Sequence, residues 1–507
     1  MKRIIKITTL TVIISLFYGC SKDYLNTKPT SSTATATIFE TVENAALAIN
    51  GINKLMTRQY LGSQGFNGEG TIKMWYGNYT GNHFFVNLPG WLPIINGAFR
   101  EEVSSIYLYY PWYYYYMIIG NANAIIQNID QAKGLEKDKQ FVKAQALTFR
   151  AYAYTMLAQL YCYRWSDSNN GESDGLVLRL DESTGDMPLS KLKDVYNRIY
   201  TDLDDAIQLY TSSGKTRTKN YDPDKNVAYS IYARAALVRQ DYQKAATMAA
   251  NAKAGYPLMS NDDYKAGFYK PTSEWIWSSF GSVDENLHYY SFLAYIAYNS
   301  NASAVRSYPK CISKELFEKI PSTDVRKGLF LDPTGYSYTI STGVAGSALK
   351  SKAFQMFPKI NASAAVYAFM QFKFAAEDVP GVGYINHFRS SEMYLIEAEA
   401  KYFMNDPTGA QQALISLNKN SGRDASYSCD KTGIDLLNEI KLYRALELWG
   451  EGFDWFDLKR WGDSINRKST SNGGNFITDL AIFSGPNDGN KWTWKIPLRE
   501  TDYNGAL

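Results

Sequence analysis

Histidine and cysteine are scarce in this chain. Across 507 residues there are 3 histidines, His83, His288 and His387, and none has a neighbour at metal-ligand spacing, which argues against a metal centre. With Cys20 set aside, Cys162, Cys311 and Cys429 remain, an odd number at wide separation that reads as buried thiols rather than a disulfide framework. An excess of one charge is missing too. Beyond residue 19, which removes Lys2, Arg3 and Lys6, basic and acidic residues are equal at 50 each. Such a balance has no electrostatic footprint for nucleic acid, nor for an anionic lipid surface. No apolar run reaches the ~20 residues that a helix needs to cross hydrocarbon. No nucleophile with a base and no motif for a cofactor stands out, so the sequence implies no catalysis and no cofactor, although a carboxylate pair drawn from distant segments is left open.

What is present begins at the amino terminus. Lys2, Arg3 and Lys6 precede an apolar stretch from Ile7 to Tyr18 that ends in Gly19-Cys20. This order is that of a secretory signal over residues 1–19. A small residue before cysteine resembles the bacterial lipobox, which implies that Cys20 carries the lipid, though Phe17 and Tyr18 depart from the usual residues there and leave a freely secreted chain as the other reading. Ser21, Lys22 and Asp23 look like a surface-export signal, and the Thr, Ser and Ala of the following residues make 20–37 a lipid-bearing tether.

Aromatic residues make up 15% of the chain, with 40 tyrosines among them. A large core uses some, and others can form flat faces with a hydroxyl at the edge. Helical periodicity is clear over 139–163 and 191–210, and over 227–252 it breaks at Gln240-Asp241-Tyr242 into two alanine-lined halves. Such a hairpin resembles a tetratricopeptide repeat. Further helices are expected at 40–60, 112–131, 388–404, 408–420 and 434–450. Between 255 and 386 the period fades, and Trp275 to Trp277 and Tyr367 to Phe374 read as strands within loops. The chain is therefore expected to be mainly α, a helical-hairpin scaffold over 38–254 and 387–507 with a loop-rich insertion of short strands over 255–386.

Several segments together resemble the SusD/RagB family of nutrient-binding lipoproteins. The strongest is Arg444, Glu447-Leu448, Glu451-Gly452, Trp455-Phe456-Asp457-Leu458 and Arg460-Trp461. Phe388-Arg389 through Glu397 and Glu399, Phe149-Arg150, Trp112 with Asn121 and Asn123, and Ile496 to Glu500 add to it in the same order as in the family. The resemblance implies four tetratricopeptide-like helix pairs, an outer-membrane location facing the exterior, and a partner, a SusC-type TonB-dependent barrel that receives captured glycan, or peptide in the RagB branch. The charges at near-helical spacing from Arg444 to Arg460 read as pairs that brace the scaffold rather than as a site.

Binding residues are sought among the aromatics. Residues 71–99 carry Trp75, Tyr76, Asn78 and Trp91 among glycines, a pattern suited to stacking on sugar rings with an amide for their hydroxyls. The other use of Trp75 and Trp91 is to plug the core beneath the loop. Tyr289, Tyr290 and Tyr295 form a second candidate, with Tyr295 and Tyr298 alternatively lining a buried helix face. The tyrosines from 107 to 116 read as mostly structural, with the start of that run at the edge of the site. The expected function is a non-enzymatic, lipid-tethered glycan receptor; a peptide receptor of the same transport system and a glycan-cleaving lipoprotein are the alternatives.

Overall fold

In the computed structural model of the protein, residues 35–60, 65–281, 291–377, 381–486 and 492–507 are described. The signal segment, Cys20 and most of the tether lie outside them. The longer helices are α1 (Val42–Leu55), α2 (Ile106–Asn128), α3 (Glu136–Tyr161), α4 (Leu192–Ser213), α5 (Lys225–Val238), α6 (Tyr242–Ala252), α7 (Ser347–Met356), α8 (Ser390–Phe403), α9 (Pro407–Ile415), α10 (Gly433–Glu447) and α11 (Asp454–Trp461). They pack in a row. α2 lies on α3, α3 on α4, α4 on α5 and α5 on α6; α6 then meets α8, which carries α9 and α10. None of the described helices is long and apolar enough to cross a membrane.

The α5–α6 hairpin shows how sequence sets this geometry. Asp224 and Asp241 accept from the backbone N–H of Val227 and Lys244, capping each helix start. Between the helices Gln240 takes a left-handed φ of 64°, and Asp241 N–H reaches Ala236 O at 2.8 Å, which closes α5 as a Schellman turn. Ala228, Ala235, Ala245, Ala249 and Ala252 are fully buried and let the axes approach.

The strands form two-stranded sheets. β1 (Phe84–Val86) pairs with β3 (Lys310–Ile312), β2 (Trp275–Gly281) with β4 (Gly383–Arg389), and β5 (Ile465–Asn466) with β6 (Phe483–Ser484), all antiparallel. β2 carries the expected Trp275 and Trp277, both in the core. Tyr367 to Phe374, expected as a strand, forms no regular strand, and Tyr367, Met370 and Gln371 make isolated bridges. β4 runs through the expected division at residue 386.

The charges of the carboxy-terminal block are structural. Arg389 reaches Glu274, Glu447 and Glu451 at 2.7 Å each, and Arg326 reaches Glu447 at 2.7 Å, all fully buried. Burial alone would raise the Glu447 carboxyl, but Arg389, Arg326 and Arg423 outweigh it and hold it well below the usual carboxylate range. Tyrosines are spent in the same interior way. Glu69 is buried, and accepts from the hydroxyls of Tyr114 at 3.2 Å, Tyr115 at 3.1 Å and Tyr152 at 2.8 Å, while its burial raises its pKa.

Candidate ligand-binding site

The first part of the glycine-rich loop expected over 71–99 belongs instead to a buried helical segment, residues 69–78. One turn over Glu69–Thr71 widens into a π-helix over Ile72–Asn78, every residue of which is buried. The glycines here serve packing. A β-carbon on Gly77 would fall on the backbone of Gly452, and one on Gly81 would fall on the Asp454 carboxylate. The segment is thus clamped beneath the turn between α10 and α11.

This placement corrects the reading of four residues. Trp75 is 1% exposed, and a ring so enclosed has no face for a sugar. Asn78 is buried and its amide is consumed by backbone, donating to Gly450 O at 2.8 Å and accepting from Gly452 N–H at 2.9 Å. Tyr295 lies buried in a short helix, Phe292–Ile296, with its ring edge-on to Trp75 at 6.4 Å. Tyr76 is buried as well, and its hydroxyl has a different task. Pro111 sits inside α2 and has no N–H for the carbonyl of Tyr107 one turn earlier. Tyr76 Oη donates to that carbonyl at 2.9 Å. At the next rung Tyr161 Oη donates to Leu108 O and accepts from Trp112 N–H, so two tyrosine hydroxyls mend the break that proline makes. α2 therefore starts at Ile106, earlier than its sequence pattern implied, and holds Tyr107 in its first turn.

Trp91, unlike Trp75, stays partly exposed. It ends a tight turn over Pro89–Trp91 and is half-buried. Its ring stands 5.2 Å from that of Trp75 and 6.2 Å from that of Tyr295. Tyr107, also half-buried, stands 5.7 Å from the same Trp75 ring. Two partly exposed rings thus rest on one buried indole, whose Nε1 has no hydrogen-bond partner. Along α2 at helical spacing come half-buried Tyr109 and Tyr113, their rings 5.6 Å apart, and Tyr60 stands 6.2 Å from Tyr113. Burial pushes the Tyr60 phenol up to about 12, so it presents a neutral ring at any ordinary pH. Tyr60 had no signal in the sequence, because it lies beyond the end of α1 and its neighbour in space, Tyr113, lies far along the chain on α2. Tyr289 and Tyr290 lie outside the described residues.

Such a surface offers aromatic faces with edge hydroxyls, and the Arg499 guanidinium lies 4.8 Å from the Tyr109 ring centre. The surface can stack apolar C–H faces and accept or donate single hydrogen bonds. Apart from it, a cavity of about 500 Å³ opens between residues 78–84 and helices α10 and α11.

Comparison with known proteins bears on this geometry. A family model described as "Starch-binding associating with outer membrane" matches residues 23–237, and one described as "SusD family" matches residues 367–506. No curated protein matches the chain. Among solved structures, a SusD-like carbohydrate binding protein from Bacteroides vulgatus is 23% identical, with a TM-score of 0.75 over 92% of this chain and 98% of that one. A SusD superfamily protein from Bacteroides thetaiotaomicron is 21% identical with a TM-score of 0.72, over 92% and 98%. A SusD-like carbohydrate binding protein from Bacteroides fragilis is 14% identical with a TM-score of 0.68, over 93% and 100%. At these identities the structures establish the fold alone.

Proposed function

Because this chain belongs to the SusD/RagB family, whose members are non-catalytic binding proteins associated with the outer membrane, we propose that it captures a neutral glycan on the Trp91–Tyr107 platform. The observation that carries the reading is the pair of partly exposed rings seated on buried Trp75. A stacked ring at a binding surface contributes on the order of 1 kcal/mol, so a few of them give weak affinity that changes little with salt. Cys20 would carry the lipid that keeps the chain at the membrane, and the captured glycan would pass to a SusC-type TonB-dependent barrel.

The test is titration of the mature protein against a panel of neutral oligosaccharides and of peptides, with Trp91→Ala beside it. Binding of a glycan that weakens about tenfold in Trp91→Ala supports the reading. Binding of peptides alone would transfer the platform to a peptide ligand, and glycan affinity unchanged in a folded Trp91→Ala protein would remove the platform from the site. Fatty-acid labelling that persists in Cys20→Ala would refute the anchor, and a barrel that fails to co-purify from membranes would refute the partnership.

A further inference from the structure

Equal numbers of acids and bases over the whole chain conceal a local excess. Between Asp332 and Glu377 there is no acidic residue, while Lys350, Lys352, Lys359 and Lys373 fall within that stretch. Its first part is a hairpin. Gly346 N–H reaches Ser337 O at 2.9 Å and Thr339 N–H reaches Val344 O at 2.8 Å. Gly343, at a left-handed φ of 82°, donates to Thr339 O at 2.7 Å and closes the turn. The hairpin is fixed along one edge, since Ala345 N–H donates to Val366 O at 2.9 Å and Gly343 O accepts from Ala368 N–H at 2.8 Å.

Apolar side chains stand in the open on this turn. Ile340 is 66% exposed, and Tyr336 and Val344 are exposed as well. Cations lie close by. Lys352 Nζ stands 4.6 Å from the Tyr336 ring centre, Lys350 begins at the hairpin's base with its N–H on Gly346 O at 2.9 Å, and Arg306 O accepts from Ala365 N–H at 2.8 Å, next to Val366. Lys350 and Arg306 are exposed, and none of these three cations has an ion-pair partner among the described residues. Asp332, at the edge of the stretch, accepts from Thr334 N–H at 2.9 Å. A neutral glycan has no use for the cations, and a small anion has no use for Ile340. The interface of an anionic membrane uses both, because aliphatic and aromatic side chains enter the headgroup region while Lys and Arg meet the lipid phosphates. The family model over residues 23–237 is itself described by association with the outer membrane. We infer that hairpin 337–346 lies on the anionic lipid surface and so sets the orientation of the chain at the membrane. The inference rests on membrane association and not on the glycan reading.

Co-sedimentation of the Cys20→Ala protein, which no lipid anchors, with two kinds of vesicle tests it: phosphatidylglycerol and phosphatidylcholine in equal parts, and phosphatidylcholine alone. The protein should bind the mixed vesicles, lose them as salt rises, and bind phosphatidylcholine at least about tenfold more weakly. Ile340→Asp should abolish the binding. Lys350→Gln and Arg306→Gln should each weaken it about fivefold, the share of one cation near an anionic surface. All three positions are exposed, so circular dichroism should show folded variants. Leu47→Asp, at an apolar residue of α1 that is 64% exposed, should leave binding unchanged and controls for the mere loss of a surface aliphatic group. No binding to the mixed vesicles, or binding untouched by Ile340→Asp, overturns the contact. Equal binding to both kinds of vesicle overturns the role of the cations, and an equal loss in Leu47→Asp overturns the assignment to the hairpin. A membrane protein that co-purifies with the wild type and is lost in Ile340→Asp, with no vesicle binding by either, would give the hairpin to a protein partner instead.

Discussion

Removing the Tyr76 hydroxyl should destabilise the protein because of a proline 35 positions along the chain. In the wild type the Tyr107 carbonyl has no N–H at residue 111 to accept from, and Tyr76 Oη supplies one at 2.9 Å. Tyr76→Phe leaves that carbonyl without this partner beneath the surface, and a lost partner at a buried polar group costs ~1–3 kcal/mol. The carbonyl is only partly buried, so the cost should fall near the lower end, about 1–1.5 kcal/mol. Pro111→Ala restores the missing donor within α2. In that background the same Tyr76→Phe change should cost ~0.5 kcal/mol or less, which makes the coupling between the two sites about 1 kcal/mol, outside the ~0.3–0.5 kcal/mol scatter of independent sites. Urea unfolding of the four proteins, followed by tryptophan fluorescence at fixed pH and salt, measures it. Equal costs of Tyr76→Phe in the two backgrounds would refute the repair of the helix by tyrosine.

Trp75→Ala, unlike Trp91→Ala, should cost ~3–5 kcal/mol of stability, since it empties the centre of an aromatic cluster; equal melting temperatures of the two variants would contradict the division into support and platform. Glu447→Ala leaves Arg326 and Arg389 buried with less counter-charge and should cost ~3–5 kcal/mol, or prevent folding, which circular dichroism and expression level report. Lys459 donates to the carbonyls of Gln159, Leu160 and Cys162, and its burial lowers its pKa to about 7. The unfolded chain, with a lysine pKa of ~10.4, then binds more protons than the folded one above about pH 7, so this group makes stability rise with pH from there towards 10. Lys459→Met should flatten the rise measured between neutral and mildly alkaline pH, and an unchanged slope would count against it.

Some of this was legible in the sequence and some was not, for physical reasons. The α5–α6 hairpin was readable because alanine spacing, two aspartate caps and the turn at Gln240 are all local. Within the Arg444–Arg460 block the Asp457–Arg460 pair was readable from helical spacing, whereas Arg444 meets Asp457 across two helices and Glu447 and Glu451 pair with Arg326, Lys373 and Arg389 from distant segments. Residues 72–78 were misread because a π-helix buried on every side has no polar face and so no periodicity. Its glycine, Gly77, which resembles those of an exposed loop, answers to the backbone of Gly452, which no local pattern reveals. Trp75 and Trp91 look alike in sequence, and only their depth separates them. Tyr76 could be understood only with Pro111.

The clamp of Gly77 and Asn78 against Gly450 and Gly452 joins positions 372 and 374 residues apart. A chain made from its amino terminus therefore cannot finish the floor of the proposed platform until the turn at residues 450–452 has emerged. Until then the indole of Trp75 and its neighbours lack part of their cover, and a copy cut short before residue 450 would present that apolar surface to proteases. Completion of this packing thus waits on residues 450–452.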